Sequence, residues 1–268
     1  MFFFCRFIAS LFCLLMVGCT VPGTAAFQDY RASYDAARAA SVRVVDAYNQ
    51  YDKVNRKNRT DAATFDPDFA DVYSATALSP IGLRITEGFA AATTYNEVLA
   101  RYAENNTLSL QQPQIDRLTV AAANTATLVG GLGDEVSAVI GAAQALVNLS
   151  LAGSDRQEFL RNLHDNTGAV DTFLEVIRED TSSMYQTARL ATAGSGGSVE
   201  KLETFRGMLA DWVLLIDQTR KDLAILKARA EMGNSGQSVI SLLSDSAVRI
   251  DRHVTEIDAA YDALVGVF

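Results

Sequence analysis

The sequence predicts an all-α fold, an elongated antiparallel helical bundle of about four long helices and three to four shorter ones. Good helix formers such as alanine, leucine, arginine and glutamate dominate the 268 residues. The prolines occur at positions 22, 67, 80 and 113, and each falls at an expected boundary between segments. No stretch alternates apolar and polar side chains far enough between turn signals to indicate a strand.

Four segments of about 30 residues carry the heptad spacing that packs helices side by side, and each helix would be about 45 Å long. The apolar seams of these four helices are Phe27, Tyr30, Tyr34, Ala37, Ser41, Val44, Tyr48 and Tyr51; Leu160, Leu163, Thr167, Val170, Leu174, Ile177, Thr181, Met184 and Ala188; Leu202, Phe205, Leu209, Trp212, Ile216, Thr219, Leu223 and Leu226; and Val239, Leu243, Ser246, Ile250, His253, Ile257, Ala260 and Leu264. Long helices joined by short loops fold back as antiparallel neighbours.

Glycine-rich breaks separate the long helices. Residues 194–197 divide the second from the third, and Ser198 is placed to cap the helix that follows. Residues 233–236 turn the third helix into the fourth. Of the shorter helices, one is expected to start at Asp66-Pro67, one to run from Pro80 to about Asn105, and one to open at Gln112-Pro113.

The stretch 118–154 differs from the rest because its only charged residues are Asp134 and Glu135. It predicts two helices rich in small residues, hinged at the glycines of 130–133. Helices that are apolar nearly all round are either buried or bound for lipid. Burial at the bundle centre is the first interpretation and conditional membrane insertion the alternative. In architecture alone, the arrangement resembles the apolar hairpin of α-helical pore-forming toxins.

The N-terminal segment indicates where in the cell the protein is expected to reside. Arg6 precedes an apolar run of signal-peptide length, too short to span a membrane, which ends in Leu14-Leu15-Met16-Val17-Gly18-Cys19. This segment resembles the lipobox of bacterial lipoproteins, although leucine rather than Met16 is usual three residues before the cysteine.

The resemblance implies that residues 1–18 are a signal peptide, 19–26 a lipidated tether and 27–268 the helical bundle. Cys19 would be thioether-linked to diacylglycerol and carry fatty acids such as palmitate. Cys5 and Cys13 would leave with the signal, so that the mature chain keeps no free thiol for a disulfide, a zinc site or a nucleophile. Thr20, rather than aspartate, follows the cysteine, which implies the outer membrane, periplasmic face.

The charge disfavours nucleic acid as a partner. The whole chain has a formal net charge of −9, and loss of Arg6 with the signal makes it more negative still. Such a balance also disfavours wide electrostatic adhesion to anionic lipid. The acyl chains on Cys19 would therefore hold the protein at the membrane.

No catalytic constellation emerges, and we expect neither a cofactor nor a metal. His164 stands beside Asp165, but neighbouring helical residues point about 100° apart and do not easily serve one site. His253 lies on the fourth seam, where a partly buried, hydrogen-bonded histidine is expected. The glycines of 131–133 and 233–236 lack the spacing and the preceding strand of phosphate loops or of a serine-nucleophile elbow.

Two charge clusters have structural explanations. The acidic residues are Asp61, Asp66, Asp68 and Asp71. They lack the alternation, central glycine and final glutamate of a calcium loop, so helix capping is the preferred interpretation. The basic residues are Lys53, Arg56, Lys57 and Arg59. They fit the C-terminal end of the first helix, with contact to lipid head groups or to an acidic partner as the alternative.

These observations favour a non-enzymatic structural or adaptor protein of the cell envelope that binds an envelope protein partner. Two alternatives stay open. A membrane-perturbing protein would insert the hairpin 118–154 into a bilayer. A periplasmic ligand-binding protein or enzyme would gather groups such as Asp251, His253 and Glu256 around an interior cavity.

Overall fold

The computed structural model describes residues 22–59, 65–74, 76–103, 138–139, 141–142, 156–232 and 240–265. Over these ranges the chain is helical and contains no strand, so the predicted all-α bundle is confirmed. The helices are α1 (Pro22–Lys57), α2 (Ala70–Tyr73), α3 (Pro80–Ala103), α4 (Arg156–Ser195), α5 (Val199–Met232) and α6 (Ile240–Val265), with a single 3-10 turn at Pro67–Phe69 before α2.

Helices α1 and α5 form the centre of the bundle and run antiparallel. The Tyr51 hydroxyl donates to the Lys201 carbonyl at 3.3 Å, and the Thr219 hydroxyl donates to the Ser33 carbonyl at 3.2 Å. Both central helices contact α4 and α6, whereas α4 and α6 share no contact within the described residues. They therefore flank the central pair on opposite sides, and α3 packs against α1 and α4.

The predicted seams form the core. Every member of the first and third seams is buried, including Trp212 at 0% exposure. In the second seam the members with described side chains are buried apart from the half-buried Thr181, and in the fourth Ile250 and Ala260 are half-buried. The side chains of Leu160, Leu163, Val239, Leu243 and Ser246 lie outside the described set. A heptad seam was thus sufficient to predict the buried face of the four long helices wherever their side chains are described.

The break between α4 and α5 follows from its glycines. Gly196 has φ +69°, a left-handed conformation that favours glycine, and the Gly197 amide donates to the Thr192 carbonyl at 2.9 Å. This six-residue closure is a Schellman motif. Ser198 then caps α5, because its hydroxyl accepts from the Lys201 amide at 3.4 Å.

Two boundaries differ from expectation. Helix α1 begins at Pro22, five residues before the predicted start of the bundle at Phe27, since proline is tolerated in a first helical turn. Asp66 does cap a helix start, accepting from the Asp68 amide at 3.0 Å. The helical segment that begins there contains only the 3-10 turn and α2, because the chain becomes extended at Ser74. Helix α3 begins at Pro80, as predicted.

Three predicted features fall largely outside the described residues: the turn at 233–236, the start at Gln112-Pro113, and the hairpin 118–154. Of the hairpin, only residues 138–139 and 141–142 are described, and they are helical, with Val139 and Ala142 buried in the core. Within the described ranges, no helix has the length and apolar character needed to cross a bilayer.

Candidate interaction surface

Exposed apolar side chains concentrate at one end of the bundle, which we call the distal end. It is formed by the C-terminal ends of α1 and α4 and the N-terminal end of α5, where the Asn58 side chain lies against Gly194. The exposed large apolar residues at or near this end are Phe65, Phe69, Tyr73, Leu78, Leu190, Val199 and Val265. The other two in the described residues, Val42 and Leu214, lie near mid-bundle.

The segment 65–79, here called the aromatic loop, provides most of this surface. Phe65 is 71% exposed, and its ring centroid lies 5.6 Å from that of Tyr73. Val72, between the exposed aromatic residues of the loop, is buried and fixes it to the bundle. The Ser79 amide closes the loop by donating to the Asn49 side chain at 2.9 Å. Large contiguous apolar patches are typical of interaction sites, and the ring contact between Phe65 and Tyr73 makes these two exposed side chains contiguous.

The basic cluster helps to hold the aromatic loop in place. Arg56 and Lys57 occupy the last turn of α1, as predicted. The Arg56 guanidinium lies 2.6 Å from the Asp71 carboxylate and 3.9 Å from that of Asp52. The hydrogen bond from Arg56 lowers the pKa of Asp71, whereas burial raises the pKa of Asp52. Asp71 therefore forms an ion pair with Arg56 of α1. The role in helix capping that the sequence predicted for Asp71 does not include this contact.

The histidines do not form a common site. His253 is buried, and its Nδ1 lies 2.8 Å from the Asp211 carboxylate, which confirms the expected hydrogen-bonded histidine. Asp251 and Glu256 are exposed, so they do not line an interior cavity with His253, as the ligand-binding alternative would require. His164 contacts Asp165 at 3.1 Å, although neighbouring helical positions were expected to diverge. The two side chains are 48% and 59% exposed, and their outer atoms meet although their Cβ atoms point in different directions.

No group of three or more potential metal ligands comes together in the described part of the chain. Of the acidic cluster, Asp66 serves as a cap and Asp71 pairs with Arg56, while Asp61 falls outside that part.

The tyrosines of α1 belong to the core, as predicted for the seam. The Tyr34 hydroxyl donates to the Phe89 carbonyl at 2.7 Å and lies 3.0 Å from the Thr93 hydroxyl. Burial raises the pKa values of Tyr30, Tyr34 and Tyr95 well above the usual range. The Tyr30 hydroxyl interacts with the Asn96 side chain, whereas the Tyr95 hydroxyl is buried without a hydrogen-bond partner among the described residues.

Cys19, the predicted lipidation site, and the rest of the lipobox lie outside the described residues. Comparison with protein-family models, with curated proteins and with solved structures finds no match to this chain.

The aromatic loop was missed by sequence reasoning. Phe65, Phe69 and Tyr73 recur every four residues, a spacing that suggests one buried helical face. The helix is too short for that interpretation, because Pro67 starts it and the chain leaves it after Tyr73. The sequence feature that could have predicted this exposed surface is the presence of three aromatic residues in a segment that helix-breaking residues make too short to bury them.

Proposed function

We propose that this chain is a lipid-anchored protein of the bacterial cell envelope that acts as a non-enzymatic adaptor. A diacylglycerol thioether on Cys19 holds it at the periplasmic face of the outer membrane, and the distal end binds an envelope protein partner. The observation that carries this proposal is the concentration of exposed apolar side chains at the end of the bundle opposite the start of α1.

Helix α1 sets the separation between anchor and surface. Its 36 residues give a length of about 54 Å at the rise of an α-helix. Cys19 stands three residues before Pro22, so the lipid lies within about 11 Å of the start of α1. The bundle therefore works as a spacer that places the distal end some tens of ångströms from its own anchor.

The chemistry of the distal end suits a protein partner. Aromatic side chains are enriched at protein interfaces and contribute much of the binding energy there, since they bury a large area for few rotatable bonds. The aromatic loop is held by the buried Val72 and by the Arg56–Asp71 ion pair. It should therefore lose little conformational entropy when a partner binds. The net charge of −9 disfavours a nucleic acid as the partner.

The anchor is tested by labelling cells with a traceable palmitate analogue. The wild-type chain should incorporate the label and sediment with outer membranes, whereas the Cys19→Ser chain should do neither. Incorporation of label by the Cys19→Ser chain would contradict the assignment of Cys19.

The distal end is tested by affinity purification from detergent-solubilised membranes with mass spectrometry. Phe65→Gln with Val199→Gln removes two side chains that are 71% and 70% exposed at the distal end. The matched control, Val42→Gln with Leu214→Gln, removes two that are 68% and 51% exposed near mid-bundle. A specific partner should be lost with the first pair and kept with the control. Equal loss in both, or equal retention, would contradict the proposal.

A further inference from the structure

The aromatic loop carries charge of one sign only. Residues 65–79 include three aspartates, at positions 66, 68 and 71, and neither lysine nor arginine. Asp66 and Asp68 are exposed, and they are the sequence neighbours of the exposed Phe65 and Phe69. Because consecutive Cα atoms are about 3.8 Å apart, these two carboxylates belong to the same surface patch as the aromatic rings.

The basic cluster at the end of α1 does not cancel this charge. Arg56 is paired with Asp71, 2.6 Å away. Lys53 and Lys57 have partners of their own. Arg59 is exposed, and it is a single cation beside the two exposed carboxylates of the loop. The patch therefore stays acidic, on a chain whose formal net charge is −9.

The two components of the patch attract the same kind of group. Carboxylates pair with arginine and lysine, and the faces of aromatic rings bind the same cations through their quadrupole. The second interaction already occurs within this chain, where the Arg206 guanidinium lies 4.7 Å from the centroid of the Tyr185 ring. An anionic lipid surface would be repelled by the carboxylates of the loop.

We propose that the envelope partner presents to the aromatic loop an apolar pocket bordered by arginine or lysine side chains. Phe65 fills the pocket, and the cations at its border pair with Asp66 and Asp68. Burial of the ring supplies most of the affinity, whereas the charges speed association and select among partners. This inference rests on the proposed function, since it specifies the partner of the distal end.

Photo-cross-linking in detergent-solubilised membranes tests the charge requirement. A photoreactive phenylalanine analogue at position 65 reports contact with the partner, and adduct yields are compared at low and high salt. The chains compared are otherwise wild type, Asp68→Lys, Asp68→Glu or Asp251→Lys. Asp251 is a matched control, because it is exposed and lies about two turns before Asp258, which pairs with Arg43 near the middle of α1.

The adduct should fall at least about fivefold in Asp68→Lys, the factor for one contact between unit charges in water. It should persist in Asp68→Glu and in Asp251→Lys. High salt should weaken the wild-type adduct more than that of Asp68→Lys, since salt screens exposed charges.

The outcomes separate this inference from the function on which it rests. A wild-type adduct that neither salt nor Asp68→Lys reduces would overturn the basic border alone. Equal losses in Asp68→Lys and Asp251→Lys would do the same, as would equal losses in Asp68→Lys and Asp68→Glu, which would indicate a structural role for Asp68. The absence of any adduct from position 65 would overturn both proposals.

Discussion

At the scale of single residues, Trp212 is the largest fully buried side chain in the described core. Trp212→Ala should lower the free energy of unfolding by about 3 to 5 kcal/mol, because the lost transfer energy is added to the cost of a cavity. Urea unfolding followed by circular dichroism measures this change. Leu214→Ala, two residues away and 51% exposed, is the control and should cost less than about 1 kcal/mol. Similar losses in both variants would mean that α5 is packed differently.

Two buried tyrosines separate packing from hydrogen bonding. The Tyr34 hydroxyl donates to the Phe89 carbonyl, whereas that of Tyr95 has no hydrogen-bond partner among the described residues. Tyr34→Phe should therefore cost about 1 kcal/mol, while Tyr95→Phe should be neutral or stabilising. Thermal unfolding of the two single variants compares them directly, and a larger loss for Tyr95→Phe would contradict the structure.

At the scale of helices, the contact between α3 and α4 depends on a glycine. A Cβ atom added at Gly88 would lie 1.8 Å from the Phe173 ring. Gly88→Ala should therefore lower the free energy of unfolding by about 1 to 3 kcal/mol, despite the better helix propensity of alanine. Gly168→Ala provides the control on α4, because nothing lies within 4 Å of its added Cβ. That variant should gain up to about 1 kcal/mol in the same denaturation assay.

The buried tyrosines of α1 and α3 should make the bundle sensitive to alkali. Burial holds the pKa values of Tyr30, Tyr34 and Tyr95 above the ordinary value of about 10. The folded state keeps these protons at pH values where the unfolded state loses them. Stability should therefore be independent of these groups at neutral pH and fall as the pH rises above about 10. Urea midpoints across the alkaline range should fall less steeply for Tyr30→Phe with Tyr95→Phe.

The helices themselves were largely predictable from the sequence, because local signals determine them. Heptad seams marked the buried faces of α1 and α5, and glycine with Ser198 marked the end of α4 and the start of α5. Long-range contacts were not predictable in the same way. The ion pair of Arg56 with Asp71 and the contact of His253 with Asp211 join distant segments, and no pattern in the chain specifies either pair.

At the scale of the whole molecule, the position of the aromatic loop could not be derived from the sequence either. Its location depends on the parallel course of α1 and α4, which brings Asn58 to Gly194, and on the attachment of Asp71 to α1. The predicted lipidation site, Cys19, precedes the start of α1 in the sequence, and the distal end includes the other end of that helix. An anchored spacer with a docking end is the functional hypothesis that uses both features.

The most direct test of this hypothesis is site-specific photo-cross-linking in cells. A photoreactive phenylalanine analogue is placed at position 65 on the distal end or at position 42 near mid-bundle, in the wild-type and Cys19→Ser backgrounds. The adaptor hypothesis predicts a discrete protein adduct from position 65 alone, and its loss when Cys19 is replaced. Equal adducts from both positions, or an adduct at position 65 that is unchanged by Cys19→Ser, would contradict it.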